Sequence, residues 1–89
     1  MGYEWLARAL EALHGVEPYE VVQALGARRR WPVPAMSGEV KVLSIWSRTQ
    51  AGRPLIVVVR PGHGLDWTIL GARGMNSTEL ARFQRWEGQ

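Results

Sequence analysis

The 89-residue chain contains no cysteine, which removes disulfides, thiolate nucleophiles and cysteine-based zinc sites together. It has only two histidines, His14 and His63, far apart and with no carboxylate at ligand spacing. No two histidines stand one helical turn apart, so the zinc-hydrolase signature is missing. Long apolar runs are also missing. The longest is Leu55-Ile56-Val57-Val58-Val59, far short of the roughly 20 residues that a membrane-spanning helix needs. The opening Met1-Gly2-Tyr3-Glu4-Trp5 has neither the basic nor the apolar region of a signal peptide. Leu6 occupies the position where N-myristoylation wants Ser or Thr. Gly62-His63-Gly64 follows a strand-like run but opens no helix, and no serine sits in a nucleophile elbow. The expectation is a small cytoplasmic protein with no membrane association, no metal and no cofactor.

What the chain does have is arginine. Ten of its 11 basic residues are Arg, against 8 acidic ones, for a net charge of +3. Residues 1–27 carry Arg8 against Glu4, Glu11, Glu17 and Glu20. Residues 28–73 reverse the balance, with Arg28, Arg29, Arg30, Lys41, Arg48, Arg53, Arg60 and Arg73 against Glu39 and Asp66. A basic middle after an acidic entry suits a polyanion, and the planar guanidinium is the better phosphate fork. The plainer alternative is a solvated, solubilising surface.

With 46% apolar residues, the length supports one domain spanning residues 1–89. Tyr3, Leu6, Leu10 and Leu13 recur at helical spacing and predict a first helix ending at His14-Gly15. Glu17-Pro18 starts a second, with Val21, Val22 and Leu25 as its stripe. Residues 28–39 hold two prolines and a glycine and read as a connection, at most an edge strand around Trp31. Three strands follow, over Val40–Arg48, Leu55–Arg60 and Trp67–Arg73, joined by short turns as an antiparallel meander of three to four strands. Asn76 and Glu79 form a capping box, and Leu80, Phe83 and Trp86 face inward from a last helix. The class is α+β, with its helices on one face of the sheet. One core should gather Leu6, Leu10, Leu13, Val22, Leu25, Val57, Ile69, Leu70, Leu80 and Phe83.

In such a meander Arg48, Arg53 and Arg73 fall at one end of the sheet, beside the amino end of the last helix. Three guanidiniums and a positive helix end make a phosphate-binding candidate. Each Arg singly also fits a solvated strand end or a pair with Glu79. His14 suits a helix carboxyl-end cap better than catalysis, and His63 a solvent-facing turn. Arg28, Arg29 and Arg30 beside Trp31 can contact backbone phosphate and a base, and form the candidate partner surface. Trp5, Trp46, Trp67 and Trp86 read as core residues.

Several short motifs then line up in order from Trp5 to Trp86. His14-Gly15-Val16 with Tyr19-Glu20-Val21-Val22, Ser47-Arg48-Thr49, Gly52-Arg53-Pro54-Leu55-Ile56-Val57-Val58-Val59 and Trp67-Thr68-Ile69-Leu70-Gly71-Ala72-Arg73 occur in turn, followed by Glu79 and Phe83. This series resembles the BrnT-type toxins of the RelE-like ribonuclease superfamily. The chain departs from them at Leu13, where the family has Lys, and at Phe83, where it has a hydroxyl-bearing aromatic. The resemblance implies a RelE-like fold, in which the two N-terminal helices read from the residues mean that the family's early strand is here shortened or turned into helix. It also implies a metal-independent RNA endonuclease of a bacterial type II toxin–antitoxin pair, bound by a cognate antitoxin as a hetero-oligomer. The ribose 2′-hydroxyl would attack the adjacent phosphate, with Arg48, Arg73 and Glu79 catalytic, Arg53 and Arg28–Arg30 on the RNA, and His14 a possible participant. A non-catalytic domain binding nucleic acid or protein on the same scaffold stands as the alternative.

Overall fold

A computed structural model describes residues 2–89. The element order is β1 (Tyr3–Trp5), α1 (Ala7–Glu11), α2 (Pro18–Leu25), β2 (Trp31–Ser37), β3 (Val40–Arg48), β4 (Pro54–Pro61), β5 (Trp67–Gly74) and α3 (Ser77–Glu87). The protein is α+β, with five strands in the order β1-β5-β4-β3-β2. β2 through β5 pair antiparallel, and β1 lies parallel to β5. The meander is therefore present, extended by one strand at each edge.

The first of these strands corrects the sequence reading, and the second lengthens the edge strand expected around Trp31. Tyr3, Glu4 and Trp5 are not the first turn of a helix; they pair with Trp67, Thr68 and Ile69. The Trp67 amide donates to the Gly2 carbonyl at 2.9 Å, and the Leu6 amide to the Ile69 carbonyl at 3.1 Å. Sheet hydrogen bonds thus claim the segment, and α1 shrinks to five residues. At the other edge, Trp31–Ser37 forms a full seven-residue strand despite Pro32 and Pro34. The two prolines stand two residues apart, so their missing N–H groups share one side of the strand. On an edge strand that side can face outward, where no ladder bond is lost.

The helices occupy both faces of the sheet rather than one. On the first face, Val21, Ala24 and Leu25 of α2 pack with Val16, Ile45, Leu55, Val57, Val59 and Ile69. On the second face, Phe83 of α3 packs with Trp46 and Ile56, flanked by Trp31, Val33, Met75 and Trp86. β5 turns apolar side chains to the α2 layer on both sides of a register shift against β4 between Val58 and Val59, which pair with Gly71 and Ile69. Leu70 is the extra residue of this bulge, so Ala72 and Ile69 both reach the α2 side.

The expected single core is split accordingly. Leu25, Val57, Ile69 and Phe83 are buried, and Leu13, Leu70 and Leu80 are half-buried. Leu6, Leu10 and Val22 are exposed at 37%, 43% and 60%. The short α1 buries only Ala9, and of the expected α2 stripe Val21 and Leu25 turn inward while Val22 faces solvent. Trp46 is buried with its Nε1 donating to Ser44 Oγ at 3.1 Å. Trp5, Trp67, Trp31 and Trp86 pack partly buried against one cluster or the other.

Phe83 is the one fully buried side chain of α3. Its replacement by Ala should lower unfolding free energy by about 3–5 kcal/mol, while Leu10→Ala costs under about 1 kcal/mol. Urea denaturation of the two variants checks the difference.

Candidate functional site

The Ser47-Arg48-Thr49 segment closes β3, and each residue has its own structural task. Ser47 is fully buried, and its hydroxyl donates to the Ala24 carbonyl at 2.7 Å, fastening α2 to the first face. The Thr49 amide donates to the Arg53 carbonyl at 2.9 Å, closing the turn into β4. Gly52 in that turn has φ of 90°, a conformation that costs other residues strain. Arg48 reaches across the second face. Its Nε and Nη2 donate to the two carboxylate oxygens of Glu87 at 2.8 Å each, and its Nη1 to the Gly52 carbonyl at 2.9 Å.

Arg73 sits on the same face, one strand removed. Arg48 pairs with Pro54 and Arg73 with Ile56 on the intervening β4, so two strand spacings and a two-residue offset put their backbones about 12 Å apart. Arg73 Nη1 and Nη2 donate to Glu79 Oε1 and Oε2 at 2.6 Å each. The Arg73 side chain is 59% exposed and that of Glu79 17%. Glu79 also accepts from the Asn76 amide at 2.9 Å, while its own amide donates to Asn76 Oδ1 at 2.8 Å, completing the expected capping box. The Arg73 guanidinium, helped by the Asn76 amide, holds the Glu79 carboxyl at about 2, below its ordinary 4.5. Arg48 likewise lowers Glu87 by its hydrogen bonds.

Arg53 does not join them. It lies on the α2 side, where its Nη1 donates to Glu20 at 2.8 Å. The cluster of three guanidiniums is therefore two on one face and one on the other, each with its own carboxylate. Arg29 and Arg30 fold back on the protein: Arg29 Nη2 donates to the Trp86 carbonyl at 3.4 Å, and Arg30 Nη1 to the Leu25 carbonyl. Arg28 is exposed. Trp31, half of the candidate partner surface, stacks on Trp86 with centroids 5.8 Å apart. His14 lies exposed after α1, away from the Arg48–Arg73 face, and His63 is exposed in the β4–β5 turn. Among the described residues, no three His, Asp or Glu side chains gather to hold a metal ion. Among the described residues, no helix is long and apolar enough to cross a membrane.

Two partners escaped the sequence reading, Glu20 and Glu87. Glu20 had a signal, since it is the third helical residue of α2, where a carboxylate accepts a hydrogen bond from the Glu17 amide. Glu79 holds the same place in α3. In both helices a carboxylate already fixed by its cap becomes the anchor for an arginine. Glu87 had an inverse signal. A carboxylate in the last turn of a helix opposes the dipole, and Arg48 compensates it.

The depressed carboxyl of Glu79 links the pair to acid stability. Its contribution is complete above about pH 4.5 and is lost as pH falls toward 2. Glu79→Gln, which removes the charge, should lower stability at neutral pH by about 1 kcal/mol. The gap to the unaltered protein should narrow steadily through that acid range in urea titrations.

No protein-family model and no curated protein matches this chain.

Proposed function

We propose that the chain acts on RNA as a metal-independent endoribonuclease of the RelE-like toxin kind, restrained by an antitoxin protein. The observation that carries this reading is the exposed, bidentate Arg73–Glu79 pair at the amino end of α3, with Arg48 on the same face of the sheet. In the reaction, the ribose 2′-hydroxyl attacks the neighbouring phosphorus as its proton passes to solvent, the P–O5′ bond breaks and the 5′-oxygen takes a proton from water, and negative charge grows on the phosphoryl oxygens meanwhile. Arg73 exchanges one anion, the Glu79 carboxylate, for another, the scissile phosphate, without leaving its place at the end of β5. The adjoining first turn of α3 adds the positive end of its dipole. Glu79 is too acidic to remove a hydroxyl proton at neutral pH; its part is to aim Arg73. Ordered β1, two N-terminal helices, meander and C-terminal helix are consistent with a RelE-like scaffold.

A non-catalytic RNA- or protein-binding domain is the second reading, and two observations favour it. Arg48, Arg53 and Arg73 are each neutralised by a glutamate, and Phe83 is fully buried with no hydroxyl to offer. The two readings divide on one experiment. Induced expression in a bacterial host should arrest growth, and Arg73→Ala should relieve the arrest at unchanged thermal stability. In vitro, RNA cleavage should persist in a chelator, leave 2′,3′-cyclic phosphate ends, and fall about 10²–10³-fold in Arg73→Ala. Bound but intact RNA establishes the second reading.

A further inference from the structure

Beyond the paired arginines, α3 carries a second, unspent set of cations. Arg82, Arg85 and Trp86 stand at one, four and five along one stripe of the helix, and Gln89 follows just beyond its end. Together with Trp31 of β2 they line a concavity of about 470 Å³. Its floor is aromatic. Trp31 and Trp86 stack at an interplanar angle of 9°, Phe83 continues the stack at 5.6 Å from Trp86, and Trp46 meets Trp31 edge-on at 5.1 Å. Its rim is cationic. The Arg82 guanidinium lies 5.3 Å from the Trp46 ring and 5.8 Å from that of Trp31, and Arg29 lies 4.9 Å from that of Trp86.

These cations keep a surplus of charge. The only acidic residues of α3 are Glu79 and Glu87, and both are taken by Arg73 and Arg48. Among the described residues, Arg28, Arg29, Arg82 and Arg85 enter no ion pair. Guanidiniums set against half-exposed indole rings are the combination that holds single-stranded nucleic acid, with phosphates on the arginines and a base on an aromatic face. An acidic protein segment would use the charges but would not extend the aromatic stack that Trp31, Trp86 and Phe83 have begun.

We propose that the Trp31–Trp86 concavity is a single-strand RNA seat, in which Arg82 and Arg85 hold successive phosphates and a base stacks on the indole platform. The inference rests on the RNA reading above and extends it. The strand runs along α3 from Arg73 and Glu79 at its amino end to the platform at its carboxyl end, about 15 Å of helix. Arg29 closes the far side, and the Pro32–Pro34 edge keeps a partner strand from pairing there.

The test is fluorescence-anisotropy titration of the full chain with a labelled oligoadenylate, across a salt series. Arg82→Gln/Arg85→Gln keeps side-chain length and removes two contacts. Arg8→Gln/Arg60→Gln removes equal charge from α1 and the far end of β4. The first double variant should bind roughly tenfold or more weakly, and its log–log salt slope should flatten by about 1.4 units. The second should stay closer to the unaltered protein in both. An abasic strand and polyglutamate of equal charge should each bind roughly tenfold more weakly than the oligoadenylate. Equal binding by Arg82→Gln/Arg85→Gln overturns the seat and leaves the RNA reading intact, as does an equal loss in the control variant. Equal affinity for the abasic strand removes the stacking, and equal affinity for polyglutamate makes the surface an acidic-protein site; either overturns the proposal. An unaltered protein that binds no RNA at low salt overturns both this seat and the reading beneath it.

Discussion

A strand that is apolar on both faces has to be covered on both, and β4 is that strand. Leu55, Val57 and Val59 point to one side and Ile56 to the other, all nearly inaccessible to water. Burial of such side chains is worth about 1.5–3 kcal/mol each, so the sheet stays together only with a layer on either side. α2 supplies one layer and α3 the other. The remaining architecture follows from that demand. β3 and β5 flank β4, the bulge at Leu70 lets β5 serve the α2 layer, and the loop residues bring each helix back over its face.

The same demand decides how the arginines are used. A helix laid on a sheet brings its terminal carboxylates over the strand ends, where guanidiniums stand. Glu20 meets Arg53, Glu79 meets Arg73, and Glu87 meets Arg48. Such part-exposed pairs add little to stability; their effect is orientation. Arg48 and Arg73 are held bidentate and aimed, and Arg73 remains the most exposed of the three, with a side chain 59% accessible. A guanidinium held by a carboxylate is pre-positioned for an anionic ligand that competes for it. The arginines of α3 differ in kind. Arg82 rests on indole rings instead of a carboxylate, so its charge is still available to a partner.

Much of this was legible along the chain. The three central strands lie within a residue or two of where alternation and turn residues put them, and α3 begins at its Asn76–Glu79 capping box. Arg73 and Glu79, six residues apart across that box, were foreseeable as partners, and both were singled out. Residues 3–5 were misread because Tyr3 and Leu6 fit a helical stripe as well as a strand; only the free edge of β5 distinguishes them. Residues 28–39 read as a connection with at most an edge strand around Trp31; the edge strand is there, but it runs on to Ser37 because prolines cost nothing on an outward-facing edge.

What the sequence determined by itself is local: where strands turn, where a cap starts a helix, which runs must be buried, and how little conventional catalytic equipment the chain carries. These properties are settled within a few residues by backbone hydrogen bonding and side-chain shape. Tertiary structure alone decided which face each helix covers, that Arg53 parts from Arg48 and Arg73, and that Trp31 joins Trp86 to make an aromatic floor beneath Arg82. The Arg48–Glu87 pair spans 39 residues of sequence and the Arg53–Glu20 pair 33. Partners at such separations meet only after the two layers have closed on β4, because a long-range ion pair is too weak to direct folding and instead takes the geometry that burial imposes.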